Sequence, residues 1–428
     1  MTKKKVVQPI SRLRGKPKLP GDKSISHRAL IFGALAEGRT EITNILEGGD
    51  VHSTADCLKR LGIVIEKSEN KTIVHGVGSR GIRAQAVALD CGNSGTTIRL
   101  LMGVLAGSKV RGTLSGDSSL VRRPMKRVAE PLKQMGAEIL LSNGDYAPLT
   151  VQGAPLAAIH YDLKVASAQI KSAIILAALS ADGLTTLTGK IQSRDHTERM
   201  LRHFGAELDC RLDQITIRGG QRLVGTKVEV PGDPSAAAFW MAAASLIPGA
   251  HIIIENMSIN PSRIGFLRAL EKMGAKIQIE VTTKEPEPIG RVEVVANSLR
   301  GVRIGREEIP ALIDEIPLLA ILATQAQGVT EIEGAEELRV KESDRIEAVA
   351  TNLRAMGADV EVRRDGFRIK GKQKLRGAQI QTYHDHRIAM AFSIAGLVAE
   401  GPTEIIGSEC VAISYPNFFE TLKELTHE

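Results

Sequence analysis

Aromatic side chains are scarce in this sequence. They make up 3% of the 428 residues, with one Trp, four Tyr and eight Phe. The hydrophobic cores must therefore be aliphatic, and stacking of bases on aromatic rings, the usual device for binding single-stranded nucleic acid, is poorly supplied. Long apolar runs are also missing, because the most apolar stretch, residues 236–254, is interrupted by Pro248, Gly249 and His251. This stretch predicts a buried helix, a turn and a strand, and it argues against a membrane span.

Cysteine is rare as well, and its four copies show neither a CxxC pair nor the spacing of metal ligands: Cys57, Cys91, Cys210 and Cys410. Such scattered thiols suit the reducing conditions of a cytosol. The first ten residues lack the apolar region of a signal peptide, so we expect a cytoplasmic protein. His196, His384 and His386 have no HExxH motif or cysteine partner beside them, and we predict no metal site.

Acidic residues are outnumbered. The chain has 56 Lys and Arg against 49 Asp and Glu, which gives a formal net charge of +7 and a pI near 9.2. This charge fits anionic partners, either small phosphates or nucleic acid. The length exceeds what one hydrophobic core usually reaches, so at least two domains are expected.

The sequence repeats itself six times. Each copy has an apolar helix, a glycine and an alternating strand, and the glycines are Gly38, Gly107, Gly183, Gly249, Gly328 and Gly401. Each of them is predicted to end a helix with a positive φ. A second pattern, Leu-x-x-apolar-Gly, runs between these copies at Gly62, Gly136, Gly205, Gly274 and Gly357. Each repeat therefore predicts a helix, a strand, a second helix, a glycine turn and one or two further strands.

The repeats fall into two halves. The segment PGDKS at residues 20–24 returns as PGDPS at residues 231–235, and three repeats follow each copy. We predict an α/β protein of two similar domains: domain I from residues 1–19 plus 232–428, and domain II from residues 20–231. The first 19 residues are expected to complete domain I as a strand. The two neighbouring crossovers would then form a hinge for domain closure.

Polar residues stand before all six first helices, at residues 21–24, 92–96, 166–171, 231–235, 312–315 and 383–387. They predict capped helix starts with positive dipole ends, suited to anions gathered at one cleft. Basic clusters accompany the second helices at residues 119–127, 193–198, 260–263 and 337–345. Arginines and lysines of this kind clamp phosphate and carboxylate oxygens.

Each of these signals has a plainer alternative. The run Arg122, Arg123, Lys126 and Arg127 could be one solvated helix face, although it lies at a helix start, where the dipole favours an anion. Asp314 and Glu342 are interpreted as the only acids embedded among the cationic clusters. They are either structural ion pairs or groups that transfer protons.

Together, these motifs resemble a known family. The segments PGDKSISHRAL, GNSGTTIR, RPMKR, SAQIKSA, RDHTERM, LRVKESDRI and HDHRIAM follow the order found in 5-enolpyruvylshikimate-3-phosphate synthases, and the likeness runs from Gly15 to Phe419. The resemblance implies transfer of the enolpyruvyl group of phosphoenolpyruvate to the 5-hydroxyl of shikimate 3-phosphate, with release of phosphate. It also implies two inside-out α/β domains of three βαβαββ-type repeats, joined by a double-crossover hinge and working without metal or cofactor.

The resemblance also implies roles for single residues. Shikimate 3-phosphate would be held by Lys23, Ser24, Arg28, Ser167, Ala168, Gln169, Arg194, Asp314 and Lys341. Phosphoenolpyruvate would be surrounded by Lys23, Asn93, Gly95, Arg123, Gln169, Arg345 and Arg387. Asp314 would take the proton of the 5-hydroxyl group, and Glu342, with Lys23 nearby, would handle the proton at the methylene carbon. Carboxylates there would stabilise the developing cation.

The sequence departs from the family pattern at Ile413, where some members carry a lysine. The segments SAQIK, RDHTE and NPSR are similar to those of members that tolerate the herbicide glyphosate, yet Gly95, where alanine is one route to tolerance, is retained. Glyphosate is therefore a candidate inhibitor. We expect a monomer that binds small molecules but neither nucleic acid nor membranes.

Three alternatives compete with this interpretation. The first is a UDP-N-acetylglucosamine enolpyruvyl transferase, which shares the fold and uses a reactive cysteine, for which Cys91 could be mistaken. The second is a nucleic-acid-binding module, whose affinity would fall steeply with salt. The third is a non-catalytic repeat scaffold, which would not need such regular helix caps.

Overall fold

The computed structural model describes residues 3–78, 81–82 and 86–426. The chain divides into two compact units. Unit 1 comprises Met1–Pro20 and Pro231–Glu428, and unit 2 comprises Gly21–Val230. Each unit has its own hydrophobic core and three sheets. The predicted α/β fold class with three repeats in each half is confirmed.

The described chain begins with two short strands of unit 1, β1 (Lys4–Val7) and β2 (Arg14–Gly15). Unit 2 follows. Its first repeat contains α1 (Lys23–Leu35), β3 (Ala36–Thr43), α2 (Gly49–Arg60), β4 (Val64–Ser68) and β5 (Lys71–Val77). The second contains β6 (Ala86–Asp90), α3 (Gly95–Ala106), β7 (Arg111–Ser115), α4 (Lys126–Gln134), β8 (Glu138–Ser142) and β9 (Tyr146–Gln152). The third contains β10 (His160–Leu163), α5 (Ala168–Ala178), β11 (Leu184–Gly189), α6 (His196–His203), β12 (Leu208–Cys210) and β13 (Ile215–Arg218). The unit ends with β14 (Leu223–Val224) and β15 (Lys227–Glu229).

Unit 1 resumes with its remaining three repeats. The fourth repeat contains α7 (Pro234–Leu246), β16 (His251–Ser258), α8 (Gly265–Lys272), β17 (Lys276–Thr283) and β18 (Ile289–Val295). The fifth contains β19 (Arg303–Ile304), α9 (Ile309–Leu312), α10 (Ile316–Gln325), β20 (Val329–Ile332), α11 (Arg345–Ala355), β21 (Glu361–Arg363) and β22 (Gly366–Lys370). The sixth contains β23 (Gln379–Gln381), α12 (His386–Gly396), β24 (Thr403–Ile406) and α13 (Phe418–Thr426). Short 3-10 helices lie at Leu120–Arg122, Ile313–Glu315, Glu336–Val340 and Ser408–Ile413.

In the described part of the chain, five of the six sheets share one strand order, and the sheet of the sixth repeat has three strands in the order β1-β24-β23. In the second repeat β6 pairs in parallel with β7, and the hairpin β8–β9 joins β7 through antiparallel β9, which gives the order β6-β7-β9-β8. The third and fifth repeats have the same order. A parallel pair needs a crossover, and in the second, third, fifth and sixth repeats the first helix lies between the two parallel strands. The motif therefore reads βαβαββ.

Distant parts of the chain complete the first and fourth repeats. The first repeat receives its leading strand from β14 and β15, which pair in parallel with β3. The fourth receives β2, which pairs in parallel with β16. In the sixth repeat, β1 pairs antiparallel with β24. The N-terminal segment thus contributes two strands to two sheets of unit 1, where the sequence predicted one.

The first helix of each repeat is buried on almost every side, while its sheet has an exposed face. In α7 every residue from Pro234 to Ser245 is buried, whereas β17 is largely exposed. A helix that is apolar all round belongs in a core. Close packing of these helices needs small residues: a methyl group on Gly103 of α3 would come within 2.3 Å of the Ala173 carbonyl oxygen in α5. This is the inside-out arrangement that the resemblance implied.

The predicted positive φ is found at every pattern glycine but one, whereas the prediction that the first-pattern glycines end helices is wrong at five positions. Those helices end two to four residues earlier, with C-caps at Ala36, Leu179, Ile247, Ala326 and Leu397. All five glycines of the second pattern have a positive φ, as do five of the six in the first pattern. Gly107 is the exception, because its φ is −87° and the prediction of a left-handed turn there is wrong. Its requirement is steric, since a Cβ would lie 2.7 Å from the Cβ of Ser180. The stretch predicted as helix, turn and strand is confirmed as α7 and β16, and none of the helices in the described part of the chain could cross a membrane.

Candidate active site

The start of α1 gathers three of the predicted ligands in unit 2. Asp22 caps the helix by accepting a hydrogen bond from the Ile25 amide at 2.9 Å. Lys23 forms an ion pair with Asp50, with 3.0 Å between Nζ and Oδ2. The carbonyl oxygen of Ser24 accepts a bond from the Nη1 group of Arg28 at 2.9 Å. Asp50, which precedes Val51 in α2, is a site residue that the motifs did not single out.

Arg28 is held by neutral oxygens from two other helices. Its Nε group donates to Thr197 Oγ1 of α6 at 2.7 Å, and its Nη2 group donates to Ser172 Oγ of α5 at 2.7 Å. The two hydroxyl groups also hydrogen-bond each other at 2.6 Å. These hydroxyl oxygens fix the guanidinium group, whose positive charge suits a phosphate. The role of Arg28 as a phosphate ligand stays a prediction.

The start of α3 carries the predicted phosphoenolpyruvate ligands of this unit. Ser94 caps the helix by accepting from the Thr97 amide at 3.1 Å. Arg123 donates from Nη2 to Asn93 Oδ1 at 3.0 Å and to Ser119 Oγ at 3.1 Å. The predicted residues Asn93 and Arg123 are thus in direct contact. This favours a binding role for Arg123 over the alternative of a solvated helix face, and Arg123 is 5% exposed.

Arg99 is, after Asp50, a second residue of this unit that sequence reasoning missed. It is 5% exposed, and its Nη1 group donates to Gln169 Oε1 at 2.6 Å. Its Nη2 group donates to the Pro124 carbonyl oxygen at 3.3 Å. A methyl group on Gly95 would lie 2.9 Å from Arg99 Nη1 and 3.2 Å from Arg123 Nη1. Arg99 therefore joins Gln169 to the helix start at Gly95, and its place inside GNSGTTIR was the available signal.

A buried hydrogen-bond chain connects α1 to the cap of α3. His27 Nδ1 lies 2.7 Å from Thr54 Oγ1, which lies 2.6 Å from Thr97 Oγ1, and Thr97 donates to Ser94 Oγ at 2.7 Å. Burial lowers the pKa of His27 well below its usual value, and the positive charges of Lys23 and Arg28 lower it further. If a neutral His27 donates from Nδ1 to Thr54, then Thr54 can donate to Thr97 and Thr97 to Ser94, so that each hydroxyl group in the series accepts one hydrogen bond from the group before it.

The start of α5 and the segment before α6 complete the predicted set in unit 2. Ser167 caps α5 by accepting from the Ile170 amide at 3.4 Å, and Ala168 is the first residue of the helix. Arg194 is half-buried and lies two residues before α6 begins. Both segments lead into helices that hold Arg28: Ser172 lies in α5 and Thr197 lies in α6.

Arg345 is the centre of the predicted set in unit 1. Its side chain is 1% exposed and contacts three carboxylates: Asp314 at 3.1 Å, Glu342 at 2.7 Å and Asp385 at 2.8 Å. Burial alone would lower the pKa of Arg345, but the negative charges of Asp385, Glu342 and Asp314 outweigh it and raise that pKa. The structure thus brings both predicted proton-transfer groups onto one fixed cation.

The remaining predicted residues of unit 1 surround Asp314. Lys341 Nζ lies 3.9 Å from Asp314 Oδ1, and Arg387 Nη2 lies 3.9 Å from Asp314 Oδ2. Arg387 also forms an ion pair of 3.1 Å with Glu315, whose side chain is 4% exposed. The interpretation that Asp314 and Glu342 are the only acids among the cations is wrong, because Glu315, Asp385 and, in unit 2, Asp50 also contact site cations. Such pairings between distant segments leave no pattern in the sequence.

Five of the six predicted first-helix caps are confirmed, at Asp22, Ser94, Ser167, Asp233 and Asp385. The sixth is wrong. Asp314 lies in the 3-10 helix Ile313–Glu315, and α10 begins after it with no side-chain cap. The side chain of Asp314 is free of a capping role and instead contacts Arg345.

Asp385 links α12 to the Arg345 cluster. It accepts the Arg387 amide at 2.9 Å and the Ser343 hydroxyl at 3.0 Å, and it is fully buried. The two residues before it, Tyr383 and His384, have φ values of 52° and 57°. This left-handed backbone is uncommon for such side chains, and it brings Asp385 to the start of the helix.

In the second PGD segment, Asp233 contacts both Ser235 and Arg263. Asp233 accepts the Ser235 amide at 2.8 Å and the Arg263 guanidinium at 3.0 Å, and Arg263 also donates to Ser235 Oγ at 3.0 Å. Arg263 of NPSR thus neutralises the acid at the start of α7. Ile413, which replaces the lysine of some family members, packs against the core of unit 1.

Two other kinds of chemistry find little support. Cys91 is fully buried, and a hydrogen bond with Cys57, together with burial, raises the pKa of its thiol well above the usual value. A reactive thiolate requires the opposite shift. Within the described residues, His, Cys, Asp and Glu side chains form no group of three that could hold a metal ion.

Arg345 holds three carboxylates, and the same chain has lysine and arginine side chains at its helix starts. This combination suits proton transfer on phosphorylated substrates. This places the chain among the transferases that act on small anionic molecules. A family model described as EPSP synthase (3-phosphoshikimate 1-carboxyvinyltransferase) matches residues 7–422, and the chain belongs to this family.

Individual relatives agree with the family. The 3-phosphoshikimate 1-carboxyvinyltransferase of Bacillus cytotoxicus is 48% identical over 415 residues, which cover 96% of this chain and 98% of that protein. The enzyme of the same name from Bacillus subtilis strain 168 is 47% identical, with 97% and 98% covered. The solved structure of EPSP synthase from Acinetobacter baumannii is similar with a TM-score of 0.87 and 42% identity, covering 100% of this chain and 98% of that one.

Proposed function

We propose that this chain transfers the enolpyruvyl group of phosphoenolpyruvate to the 5-hydroxyl of shikimate 3-phosphate and releases phosphate, a step of aromatic amino-acid biosynthesis. The observation that carries the proposal is the contact of Arg345 with both Asp314 and Glu342, at 3.1 and 2.7 Å. The guanidinium group keeps these two carboxylates close together without requiring a proton shared between them. Each can then serve a different atom of the substrates.

The two units contribute different chemistry. In unit 2 the shikimate 3-phosphate ligands are Lys23, Ser24, Arg28, Ser167, Ala168, Gln169 and Arg194. Lys23 also binds phosphoenolpyruvate, together with Asn93, Gly95, Arg123 and Gln169. In unit 1 Asp314 and Lys341 bind shikimate 3-phosphate, and Arg345 and Arg387 bind phosphoenolpyruvate. Arg28 and Arg123, held by hydroxyl and amide oxygens, supply positive charge to oxyanions.

The proton steps belong to unit 1. Asp314 takes the proton of the 5-hydroxyl as the oxygen attacks C2 of phosphoenolpyruvate, and Glu342, with Lys23, delivers a proton to the methylene carbon. The resulting tetrahedral intermediate loses phosphate as the proton returns from the new methyl group, which restores the enol ether. The cation that develops at C2 is stabilised by the adjacent carboxylates.

The experiment that tests this function is release of inorganic phosphate from phosphoenolpyruvate, measured with and without shikimate 3-phosphate. Release that depends on shikimate 3-phosphate is expected. Release that depends instead on UDP-N-acetylglucosamine would support the sister enzyme, and a steeply salt-dependent affinity for oligonucleotides with no phosphate release would support the nucleic-acid-binding alternative.

We also propose that the protein is a cytoplasmic monomer and that glyphosate competes with phosphoenolpyruvate at the start of α3. The anion-binding groups at that helix start, Arg123 and the neighbouring Arg99, suit a small molecule that carries a phosphonate and a carboxylate. Inhibition kinetics with phosphoenolpyruvate as the varied substrate test the competition, and sedimentation tests the monomer.

A further inference from the structure

A buried ion pair lies behind the site in unit 2. Lys171 of α5 and Glu198 of α6 are 2% and 4% exposed, and 2.6 Å separates Nζ from Oε1. The ammonium group also donates to the carbonyl oxygens of Ile191 at 3.2 Å and Ser193 at 3.3 Å. A lysine has three N–H donors, and these three acceptors match them.

The two carbonyl groups belong to a segment that carries a proposed substrate ligand. Residues 190–195 connect β11 to α6, and Ser193 directly precedes Arg194. Lys171 therefore fixes the backbone on the N-terminal side of Arg194 at two points. The position of the Arg194 side chain thus depends on a segment whose backbone is bound by the Lys171 ammonium group.

The same ion pair also fixes the cradle of Arg28. Ser172 follows Lys171 in α5, Thr197 precedes Glu198 in α6, and both hydroxyl groups accept hydrogen bonds from Arg28 at 2.7 Å. The contact between Lys171 and Glu198 ties the two helices together one residue away from this cradle. A shift of either helix would change the position of the Arg28 guanidinium group.

A buried ion pair is a poor way to stabilise a fold, because desolvation offsets the attraction between the charges. Glu198 illustrates the cost: its Oε2 atom is buried without a hydrogen-bond partner in the part of the chain that the structure describes. An apolar pair of the same size would pack α5 against α6 at lower cost. It could not, however, hold the carbonyl groups of Ile191 and Ser193.

We propose that Lys171 and Glu198 are positioning residues for shikimate 3-phosphate, acting through Arg194 and Arg28. Lys171 holds the Arg194 segment, and Glu198 keeps the ammonium group in place between the two helices. This role rests on the proposed function. It also explains the last residues of the SAQIK and RDHTE segments, Lys171 and Glu198, which contact no substrate in the proposed assignment.

The test is the double variant Lys171→Met/Glu198→Met. It removes both charges together, so neither is left buried alone, and it keeps two residues of similar volume and good helix propensity. We expect the thermal unfolding midpoint to stay close to that of the parent protein. The KM for shikimate 3-phosphate should rise by about tenfold or more, because a displacement of about 1 Å is costly for a positioned group.

The KM for phosphoenolpyruvate at saturating shikimate 3-phosphate should change by less than about twofold, because Asn93, Gly95 and Arg123 belong to other elements. Gln169 lies in α5 with Lys171, but its side chain is held separately, by Arg99 at 2.6 Å and Thr96 at 2.9 Å. Lys164→Met is the matched control. Lys164 has an ion pair with Asp162 in the same repeat, but its side chain is 81% exposed, and both constants should stay unchanged.

The outcomes separate this inference from the proposed function. If the parent protein releases phosphate and the folded double variant keeps its KM for shikimate 3-phosphate, the positioning role is wrong. Equal increases in both KM values would also overturn it, because they indicate a general loss of structure. If the parent protein itself fails to release phosphate in the presence of shikimate 3-phosphate, the proposed function is wrong.

If the double variant does not fold, direct binding of shikimate 3-phosphate to the Lys171→Arg variant is measured instead. A planar guanidinium group cannot match the three acceptors of the ammonium group, so a weaker affinity is expected. Unchanged affinity would contradict the proposal.

Discussion

Six arginines are buried in the described part of the chain, three in each unit, and the two sets are held differently. In unit 2, hydroxyl, amide and carbonyl oxygens hold Arg28, Arg99 and Arg123. In unit 1, carboxylates hold Arg263, Arg345 and Arg387. Units built from the same repeat thus contain the same buried residue type, with oxygen acceptors of different kinds around it.

The difference separates binding from chemistry. A guanidinium group fixed by hydroxyl, amide and carbonyl oxygens is pre-oriented for an incoming phosphate or carboxylate. One held by carboxylates, such as Arg345 or Arg387, offers a ligand a charge that is partly compensated, and it also fixes acidic groups that can take and return protons. Anion affinity should therefore depend mainly on unit 2, and turnover mainly on unit 1.

The strongest test removes the proposed base from unit 1. Asp314→Asn should lower kcat by about 10² to 10⁴, because an amide cannot accept the proton of the 5-hydroxyl. Substrate affinity should change little, since most proposed anion ligands lie in unit 2. Steady-state kinetics and direct binding of shikimate 3-phosphate measure the two effects separately.

The matched control is Asp359→Asn, an exposed aspartate of the same unit, which should leave kcat unchanged. Near-normal turnover by a folded Asp314→Asn protein would remove the division between the units.

The next test compares the cost of breaking each kind of arginine contact. Asp385→Asn leaves Arg345 with less compensating charge in a buried site and should lower the free energy of unfolding by about 3 kcal/mol or more. Thr197→Val removes one neutral acceptor from Arg28 and should cost about 1 to 2 kcal/mol. Urea denaturation of the two variants gives both values. Equal losses would mean that the carboxylates of unit 1 are no more important to their arginines than the hydroxyls of unit 2.

The pH dependence of stability tests the positive charge of unit 2. Burial, Lys23 and Arg28 lower the pKa of His27 in the folded protein, while in the unfolded chain it stays near 6.5. Below about pH 6.5 the unfolded chain therefore binds a proton that the folded protein does not. The free energy of unfolding from this source is fully retained above that pH, and it falls on acidification by at most about 1.4 kcal/mol per pH unit.

Denaturant unfolding between pH 7 and pH 5 measures the slope, and His27→Asn, which keeps a donor for Thr54 but does not titrate, is the control. Parallel curves for the parent protein and the variant would show that His27 is protonated in the folded state.

The smallest effect is expected at Gly95. A methyl group there meets the guanidinium ends of Arg99 at 2.9 Å and Arg123 at 3.2 Å, and such flexible ends can give way. We expect Gly95→Ala to fold and to raise the Ki of glyphosate by about three- to tenfold, roughly 0.7 to 1.4 kcal/mol. The KM of phosphoenolpyruvate should rise less, because the smaller molecule leaves the displaced groups more room.

The background variant Arg99→Lys isolates the cause. If the methyl group acts by displacing Arg99, Gly95→Ala should raise the Ki of glyphosate less in the Arg99→Lys variant than in the parent protein. An equal increase in both would show that the methyl group conflicts with the ligand itself.

The repeat architecture was predictable because its markers are backbone requirements. Ten of the eleven glycines that marked the two patterns have a positive φ, which few other residues tolerate. The N-terminal segment was only partly predictable. The 19 residues before the first repeat predicted one strand in domain I. Nothing in the sequence around Arg14 and Gly15 indicated that these two residues pair with β16 in a second sheet.

The segments that bring candidate ligands to the helix starts were predictable, and the supporting contacts of those residues were not. Asn93 and Arg123 lie in named segments, and they are in contact. Lys23 and Asp50 are 27 residues apart, and Arg387 and Glu315 are 72 apart. Such pairs arise from tertiary packing of separate repeats and leave no periodic pattern. Arg345 shows the limit most clearly: its motif indicated an anion ligand, while its described contacts are with carboxylates.

The pairing of β1 with β24 has a consequence for synthesis on the ribosome. Lys4 and its partner Glu404 are 400 residues apart, and at about 5 to 20 residues per second roughly 20 to 80 s pass between their translation. All of Gly21–Val230 emerges during that interval and can fold, while the segment before it still lacks both of its partner strands. Charged side chains discourage an unpaired strand from joining other chains. The lysines at positions 3, 4 and 5 therefore suit a nascent segment that must remain unassociated until the last sheet is made.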